Sequence, residues 1–150
     1  MAVEIDTVLV PVDDTEEAER AVEYAVAIAQ RYGASIHILH IVDDSVARAI
    51  QRGDIDADAV AEEHRAFMAA VRELTRDADG DVEASQSSAA GFSAERLSRH
   101  PVNVVLDSAE EIGSDMIVVP RESTNDAPGA MLGKVAQHVL SYASQPVLSV

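Results

Sequence analysis

The chain has 150 residues, of which 47% are hydrophobic and 25% are charged, which suits one globular domain over residues 1–150 with a sizeable core. Its 27 acidic residues outnumber the 11 basic ones, and the formal net charge is −16. Nucleic acids and anionic membranes are bound through clustered Lys and Arg, so neither is an expected partner. Because the chain has no cysteine, disulfides and thiolate metal sites are excluded.

The acidic composition also indicates the salt conditions under which the protein works. The only lysine is Lys134, and every other basic residue is arginine. This composition resembles that of cytoplasmic proteins of salt-accumulating halophiles, in which salt screens the repulsion between carboxylates. A mesophilic protein with an acidic surface is the alternative. Residues 1–6 lack the pattern of a signal peptide, and no apolar run approaches the roughly 18 residues of a membrane span, so we expect a cytoplasmic protein.

The first third of the chain has the pattern of a β-α-β unit. Thr7 to Val12 (TVLVPV) is a continuous apolar run, typical of a strand buried on both faces of a parallel sheet. Residues 13–15 (DDT) can cap a helix, and apolar residues then recur at helical spacing up to Gly33. Ser35 to Val42 (SIHILHIV) predicts a second strand, parallel to the first because such crossovers are right-handed.

The middle of the chain is less regular. Residues 43–58 are polar, which predicts a loop with a short helical turn. Residues 59–75 carry an apolar stripe and predict an amphipathic helix. A third strand is predicted over residues 82–87, although they are poor in β-branched side chains, and residues 89–99 are expected to form an inserted loop or a short helix.

The last third returns to regular alternation. A helix is predicted from Pro101 to Ile112, a fourth strand over Met116–Val119, a last helix over residues 133–143 and a fifth strand over Val147–Val150. Strands and helices therefore alternate along the whole chain. This order predicts an α/β fold, a three-layer α/β/α sandwich around a five-stranded, mostly parallel sheet.

A ligand site is expected at one edge of this sheet. Ligands of open α/β sheets bind beyond the carboxyl ends of the strands, where the strand order reverses. By that rule, we expect one crevice to be lined by Asp13, residues 41–44 and the loop of residues 120–133. A strand that leads through a loop to a glycine at a helix start also presents free N–H groups and the positive end of a helix dipole to an anion.

Two enzyme motifs are excluded by their spacing. Gly129 to Lys134 (GAMLGK) is similar to a phosphate-binding P-loop, but three residues instead of four separate its glycines, and Val135 follows the lysine where Ser or Thr is needed. Kinase and GTPase chemistry of that type is therefore not predicted. No GxSxG elbow of a serine hydrolase is present either.

Single titratable residues favour structural roles. The histidines lack the spacing of a helical metal site, and we expect structural or surface roles for His37, His40, His64, His100 and His138. Strand alternation places His37 and His40 on opposite faces of the second strand. The adjacent carboxylates at positions 13 and 14 fit an acid–base pair or a helix cap, and the cap is favoured because no nucleophile or basic residue adjoins them.

Four segments, in this order, resemble the universal stress protein family. They are Val8–Asp13 with its helix, His37–Asp43, Ser114–Val119, and Leu132–Ala136 continuing to Pro146–Val150. The resemblance covers the chain except roughly residues 80–100. It implies the universal stress protein type of fold, which is adenine nucleotide alpha-hydrolase-like, and it implies ATP as the ligand to consider, since many members of the family bind it.

The phosphate-binding signature of the family is altered in this chain. The signature is glycine, two residues, glycine, nine residues, glycine, then serine or threonine. Pro120, Ser123, Gly133 and Lys134 hold those four places. Proline has no N–H to donate, and only one of the three glycines remains, so we expect weak or no ATP binding. Two acidic residues in the loop, at positions 122 and 126, add to that expectation.

The resemblance also implies roles for single residues. Asp13 would lie near the ribose and adenine, and Ile41 would contact adenine through its backbone, so a nucleoside or AMP could still be held weakly. The candidate nucleotide-binding residues are Pro11, Asp13, Ile41, Ser123, Gly133 and Lys134. Val147–Val150 would pair antiparallel with the same strand of a second subunit to give a two-fold homodimer, whereas an interior or covered strand is the alternative.

Three hypotheses of function remain open at this point. The first is a dimeric regulatory or binding module of the stress response with a degenerate ATP loop and no catalytic activity. The second is an adenine-nucleotide binding protein, for ATP or AMP, with at most slow ATPase activity. The third is a structural or assembly module that dimerises through its C-terminal strand. The sequence predicts no metal, and it does not indicate a protein partner.

Overall fold

The computed structural model describes residues 3–13, 15–76, 82–92, 101–121 and 139–150. Its elements, in chain order, are β1 (Thr7–Val12), α1 (Glu16–Tyr32), β2 (Ser35–Asp43), α2 (Asp44–Gln51), α3 (Ala57–Arg76), β3 (Ala84–Phe92), α4 (Pro101–Ile112), β4 (Met116–Val119) and β5 (Val147–Ser149). Residues 139–142 are helical and precede β5.

The five strands form one sheet in the order β3-β2-β1-β4-β5, and every neighbouring pair is parallel. The predicted α/β fold with a mostly parallel sheet is confirmed, and the sheet is parallel throughout. β1 lies at the centre, whereas β3 and β5 are the outer strands of the described sheet. The chain therefore builds outward from β1 in both directions.

Helix α1 begins and ends as its sequence predicts. Thr15 is the N-cap, and its side-chain oxygen accepts a hydrogen bond from the backbone N–H of Ala18 at 3.1 Å. Gly33 ends the helix in the left-handed conformation (φ 67°), which glycine adopts without a steric cost, and its N–H donates to the carbonyl oxygen of Ala29. These two caps fix the helix directly after the carboxyl end of β1.

Two separate apolar clusters cover the two faces of the sheet. One packs α1 and α3 against the sheet; its largest fully buried members on the strands are Val8, Val10, Val12, Ile36 and Ile38. The other packs α4 and residues 139–142 against the opposite face, with Leu9, Leu39, Ile41, Ile117 and Val119 from the strands. Helices on both faces give the predicted three layers. We call the first side the α1 face and the second the α4 face.

The middle of the chain corrects the sequence prediction. Residues 43–58 do not form a loop with a single helical turn, because Asp44–Gln51 is an eight-residue helix. The third strand is longer than predicted, and it continues through residues that were expected to form a loop or a short helix, up to Phe92. Pairing with β2 along nearly its whole length overrides the low β propensity of its alanines and serines. The remainder of the predicted insertion, residues 93–100, lies outside the described residues.

The other boundaries agree closely with the prediction. Helix α3 extends two residues further towards the N-terminus than predicted, the fifth strand ends at Ser149, and α4 and β4 match. Of the predicted last helix, only its final residues are described. Within the described parts of the chain, no helix has both the length and the apolar character needed to cross a membrane.

Candidate functional site

The carboxyl edge of the sheet contains the point where the strand order reverses. From β1 the chain proceeds to β2 on one side, and β4 lies on the other. Crevices at such switch points bind ligands in open α/β sheets. The candidate site therefore lies beyond the carboxyl ends of β1, β2 and β4.

Pro11 ends the pairing between β1 and β4 early. The aligned residues of these strands are Val8 with Met116 and Leu9 with Ile117, although β4 continues to Val119. The next ladder bond on this side of β1 would need an N–H at position 11, which proline lacks. Pro11 itself is buried and aligned with Leu39 of β2. It therefore shapes the crevice through the backbone instead of lining it with an exposed side chain.

Asp13 lies at the carboxyl edge of the sheet, within the candidate site. It follows the last residue of β1 and is half-buried. The hydroxyl of Thr15 donates to its carboxylate Oδ1 at 2.6 Å, so the helix cap holds the carboxylate in place. The two expected roles of Asp13 are compatible, because it supports the cap while it faces the switch point.

Ile41 lies level with Asp13 on the neighbouring strand. The aligned pairs of β1 and β2 end at Val12 with His40, so Asp13 and Ile41 are the next residues on each strand, roughly 5 Å apart. The side chain of Ile41 is 1% exposed and packs in the α4-face cluster. Only its backbone can therefore contact a ligand, as the resemblance implies.

His40 connects the site to helix α3. Its ring stacks on that of His64, with centroids 3.9 Å apart and planes inclined by 18°. Stacking of this kind fixes the position of β2 next to Ile41. The contact agrees with the predicted structural role of both histidines. In the described parts of the chain, no three His, Asp or Glu side chains are grouped as metal ligands.

At positions 120 and 121, directly after β4, the backbone has no free N–H donor. Pro120 is buried and has no N–H. The N–H of the next residue, Arg121, donates to the main-chain oxygen of Val150 at 2.6 Å, and Val150 in turn donates to Val119 at 3.0 Å. The first two positions of the predicted phosphate loop are thus held as part of the sheet. The side chain of Arg121 is exposed.

The remaining predicted site residues are not placed. Ser123, Gly133 and Lys134 lie outside the described residues, as do the two acidic positions of the loop, 122 and 126. Of the six candidates, the structure brings together Pro11, Asp13 and Ile41 at one edge of the sheet. The described part of the candidate site therefore comprises the ends of β1 and β2 and the start of the loop.

A second polar cluster lies elsewhere on the sheet. His37 of β2 has its Nδ1 atom 2.7 Å from Oγ of Ser85 and its Nε2 atom 2.8 Å from Oγ of Ser87. Burial lowers the pKa of His37 below its ordinary value. The sequence assigned His37 a structural role and missed this cluster. The serines are identified as its partners only once β3 is known to pair with β2, and no spacing along the chain signals that.

The outer strand β5 belongs to an uncharged segment of the chain. Residues 135–150 contain no Asp, Glu, Lys or Arg, although the whole chain has a net charge of −16. Within this segment Tyr142 is 71% exposed and Leu140 is 46% exposed. Residues 147–150 are all half-buried, and in the described sheet β5 pairs with β4 alone. The strand is thus an outer one, as the predicted dimer requires.

Comparison with known proteins decides the family. The model of the family described as "Usp: Universal stress protein family" matches residues 4–150. The chain belongs to the universal stress protein family. The resemblance identified in the sequence is thereby confirmed, and the fold is that of a universal stress protein.

Individual relatives of this universal stress protein are distant. Universal stress protein MJ0531 of Methanocaldococcus jannaschii is 22% identical over 146 residues, which cover 95% of this chain and 80% of that protein. A universal stress protein solved in complex with cAMP superposes with a TM-score of 0.64 at 21% identity, covering 99% of this chain and 98% of the other. The universal stress protein from Archaeoglobus fulgidus in complex with dAMP has a TM-score of 0.59 at 18% identity, with the same two coverages, 99% and 98%. At these identities, the structures show a common fold.

Proposed function

We propose that this universal stress protein is a dimeric binding module whose nucleotide site is non-catalytic, recognises adenosine monophosphates and disfavours ATP. The observation that carries the proposal is the backbone at the end of β4. Pro120 has no N–H, and the N–H of Arg121 is bonded to Val150. A triphosphate cradle depends on free, closely spaced N–H groups, and these two positions supply none.

The adenine side of the site supports retained nucleotide binding. Asp13 is held by Thr15 at the carboxyl end of β1, and the backbone of Ile41 lies beside it on β2. A carboxylate accepts hydrogen bonds from ribose hydroxyls, and a strand-end backbone can pair with the edge of a base. The cAMP and dAMP complexes of two structural relatives, each with one phosphate group, are consistent with a monophosphate ligand.

Negative charge near the site favours a nucleotide with fewer phosphate groups. The first turn of α1, which begins at the same edge of the sheet, contains Glu16, Glu17 and Glu19. Their charges oppose the positive end of the helix dipole and repel phosphate. A triphosphate carries more negative charge than a monophosphate, so the repulsion weakens ATP binding more than AMP binding. High salt would reduce this difference by screening.

The uncharged segment of residues 135–150 supports dimerisation. Two copies that each carry a formal charge of −16 repel one another unless their contact avoids charged residues. Residues 135–150 meet that condition, and Tyr142 supplies an exposed aromatic group of the kind enriched in interfaces. An outer strand with unpaired backbone groups can add the same strand of a second copy.

Isothermal titration calorimetry of the full chain with ATP, AMP and cAMP in a high-potassium buffer tests the proposal. We expect AMP or cAMP to bind at least tenfold more tightly than ATP, with no release of phosphate from ATP. Tighter binding of ATP than of AMP would refute the proposed preference. Steady hydrolysis of ATP that is lost in Asp13→Ala would instead support the slow ATPase hypothesis.

A further inference from the structure

The cluster of His37, Ser85 and Ser87 has the contacts of an activated hydroxyl. Both ring nitrogens of His37 are within 2.8 Å of a serine oxygen. A neutral imidazole donates from one nitrogen and accepts at the other. One serine oxygen therefore accepts a hydrogen bond from the ring N–H, and the other serine donates its O–H to the second ring nitrogen. A hydroxyl that donates to an imidazole, while a third group orients the ring, is the arrangement that activates serine nucleophiles.

We propose that Ser87 is a nucleophile that accepts an acyl group from small activated esters, with His37 as its general base. Ser87 faces Nε2, the ring nitrogen that serves as base in the Ser-His-Asp triad, and Ser85 faces Nδ1, where the triad has its carboxylate. Ser85 thus acts as a positioning residue, because its oxygen accepts a hydrogen bond from Nδ1–H and so keeps the ring proton on Nδ1. The cluster contains none of the residues of the nucleotide site. His37 lies roughly 13 Å along β2 from Ile41, and Ser87 is aligned with Leu39, two residues before Ile41.

The exposure of the serines and the lack of charge on β3 suit a small neutral ester. Ser85 and Ser87 are exposed, whereas His37 is half-buried on the α4 face of the sheet. Strand β3, Ala84–Phe92, has no charged residue, so a small neutral ester meets no fixed charge on the strand. Burial keeps the pKa of His37 low, and its Nε2 lone pair therefore remains free to accept a proton at neutral pH.

The edge position of β3 supplies an oxyanion donor. The N–H of Ile36 donates to the main-chain oxygen of Glu83 at 2.9 Å. In the alternating parallel ladder, residues 83, 85 and 87 therefore bond to β2, and the N–H of Ser88 points to the outer edge of the described sheet. The N–H of the residue after the nucleophile is one of the two oxyanion donors in α/β-hydrolases. We assign the same role to Ser88.

The reaction has two balanced steps. First, Oγ of Ser87 bonds to the acyl carbon, the bond from that carbon to the leaving oxygen breaks, and the serine proton passes through Nε2 of His37 to the leaving oxygen. Then a water oxygen bonds to the acyl carbon, the ester bond to Ser87 breaks, and the water proton returns through His37 to Oγ. Because Ser85 is neutral, it does not stabilise the imidazolium as a carboxylate would, so the activity is slow and needs a good leaving group.

The test uses the full chain with a fluorophosphonate, which phosphonylates an activated serine with loss of fluoride, and with p-nitrophenyl acetate. We expect one phosphonyl group on Ser87, located by peptide mass spectrometry, and none in Ser87→Ala. His37→Gln should slow labelling and ester hydrolysis at least tenfold. Gln86→Ala is the matched control, because it removes an exposed polar side chain of the same strand that has no part in the proposed site, and it should label like the wild type.

Two further measurements distinguish a catalytic role of this cluster from a structural one. The labelling rate should fall on acidification with a midpoint below pH 6.5, the ordinary value for histidine, because only neutral His37 is a base. Ser85→Ala should reduce the rate while leaving the label on Ser87. Since Ser87 is exposed, Ser87→Ala keeps the fold even if His37→Gln does not. No label, a label on another residue, or equal rates in wild type and Ser87→Ala would overturn the proposal.

Discussion

The backbone N–H of Arg121 donates to the main-chain oxygen of Val150 across 2.6 Å. This bond continues the pairing of β4 and β5 past the end of β4. The second residue of the predicted phosphate loop is therefore tied to the outer strand at which we expect a second subunit to bind. The proposed nucleotide preference and the proposed dimer thus both involve this hydrogen bond.

Restoring the first glycine of the signature should strengthen ATP binding. Pro120→Gly regains an N–H and backbone freedom at the end of β4. One hydrogen bond to a charged phosphate contributes about 1.5–3 kcal/mol, so calorimetry should show about tenfold or greater tightening for ATP. The matched control is Pro146→Gly, because Pro146 precedes β5 at the opposite end of the sheet. Equal ATP affinity in the two variants would contradict the role assigned to Pro120.

Asp13 should contribute to binding of the ribose. Asp13→Ala removes the carboxylate that Thr15 holds, and AMP affinity should fall about tenfold or more, equivalent to about 1.4 kcal/mol. Thr15 keeps its bond to Ala18, so helix α1 should remain folded. Glu16→Ala removes a nearby negative charge without removing the acceptor, and it should not weaken AMP binding. A similar loss in both variants would mean that charge alone is responsible.

The dimer should depend on the uncharged segment that contains β5. Tyr142→Glu places a charge on a side chain that is 71% exposed, so it should yield monomers with little loss of stability. Tyr32→Glu, at a tyrosine of α1 that is 60% exposed, makes the same change elsewhere and should leave the dimer intact. Light scattering coupled to size-exclusion chromatography measures both. Leu148→Lys, within β5 itself, should also give monomers, and dimers in both Tyr142→Glu and Leu148→Lys would refute this interface.

Salt should stabilise the fold, and the range of salt distinguishes two environments. With a net charge of −16, the thermal midpoint should rise as ionic strength increases from about 0.01 to 0.15 M, where the screening length falls from about 30 to 8 Å. In a halophilic protein the midpoint should continue to rise with KCl above about 1 M. A plateau near physiological salt would indicate a mesophilic protein with an acidic surface. Sucrose is the control for effects that do not depend on charge.

Acid should weaken the fold through His37. Burial lowers the pKa of this histidine in the folded state, so below pH 6.5 the unfolded chain binds more protons than the folded one. The contribution to stability is therefore present above pH 6.5 and is lost as the pH falls towards the lower folded pKa. Urea unfolding at about pH 7.5 and about pH 5.5 should show a larger loss in the wild type than in His37→Gln. The same loss in both proteins would contradict the assignment.

The sequence predicted most of the fold because most of its signals are local. Continuous apolar runs identified β1, β2 and β4, and the cap at Thr15 and the glycine at position 33 placed the ends of α1. The helix Asp44–Gln51 was predicted as only a short helical turn because its eight residues make little more than two turns within a polar stretch. Strand β3 was misjudged because its stability comes from pairing with β2, which depends on residues far away in the chain.

The candidate site was predicted in part for the same reason. Parallel strands bring their carboxyl ends to one edge, so the meeting of Asp13 and Ile41 followed from the strand order expected of the fold. The backbone role of Pro11 became clear only from the register of β1 against β4. Likewise, the bonds from His37 to Ser85 and Ser87 depend on a cross-strand register that spacing along the chain does not encode.

The early end of the β1–β4 ladder at Pro11 leaves the carboxyl halves of these two strands without aligned residues. Side-chain packing joins them there, because Val12 and Val118 are both buried in the α1-face cluster. Such a seam can widen or narrow as a hinge. Hydrogen–deuterium exchange should therefore be faster for the amide of Val118 than for the amides of β2, and ligand binding should slow it.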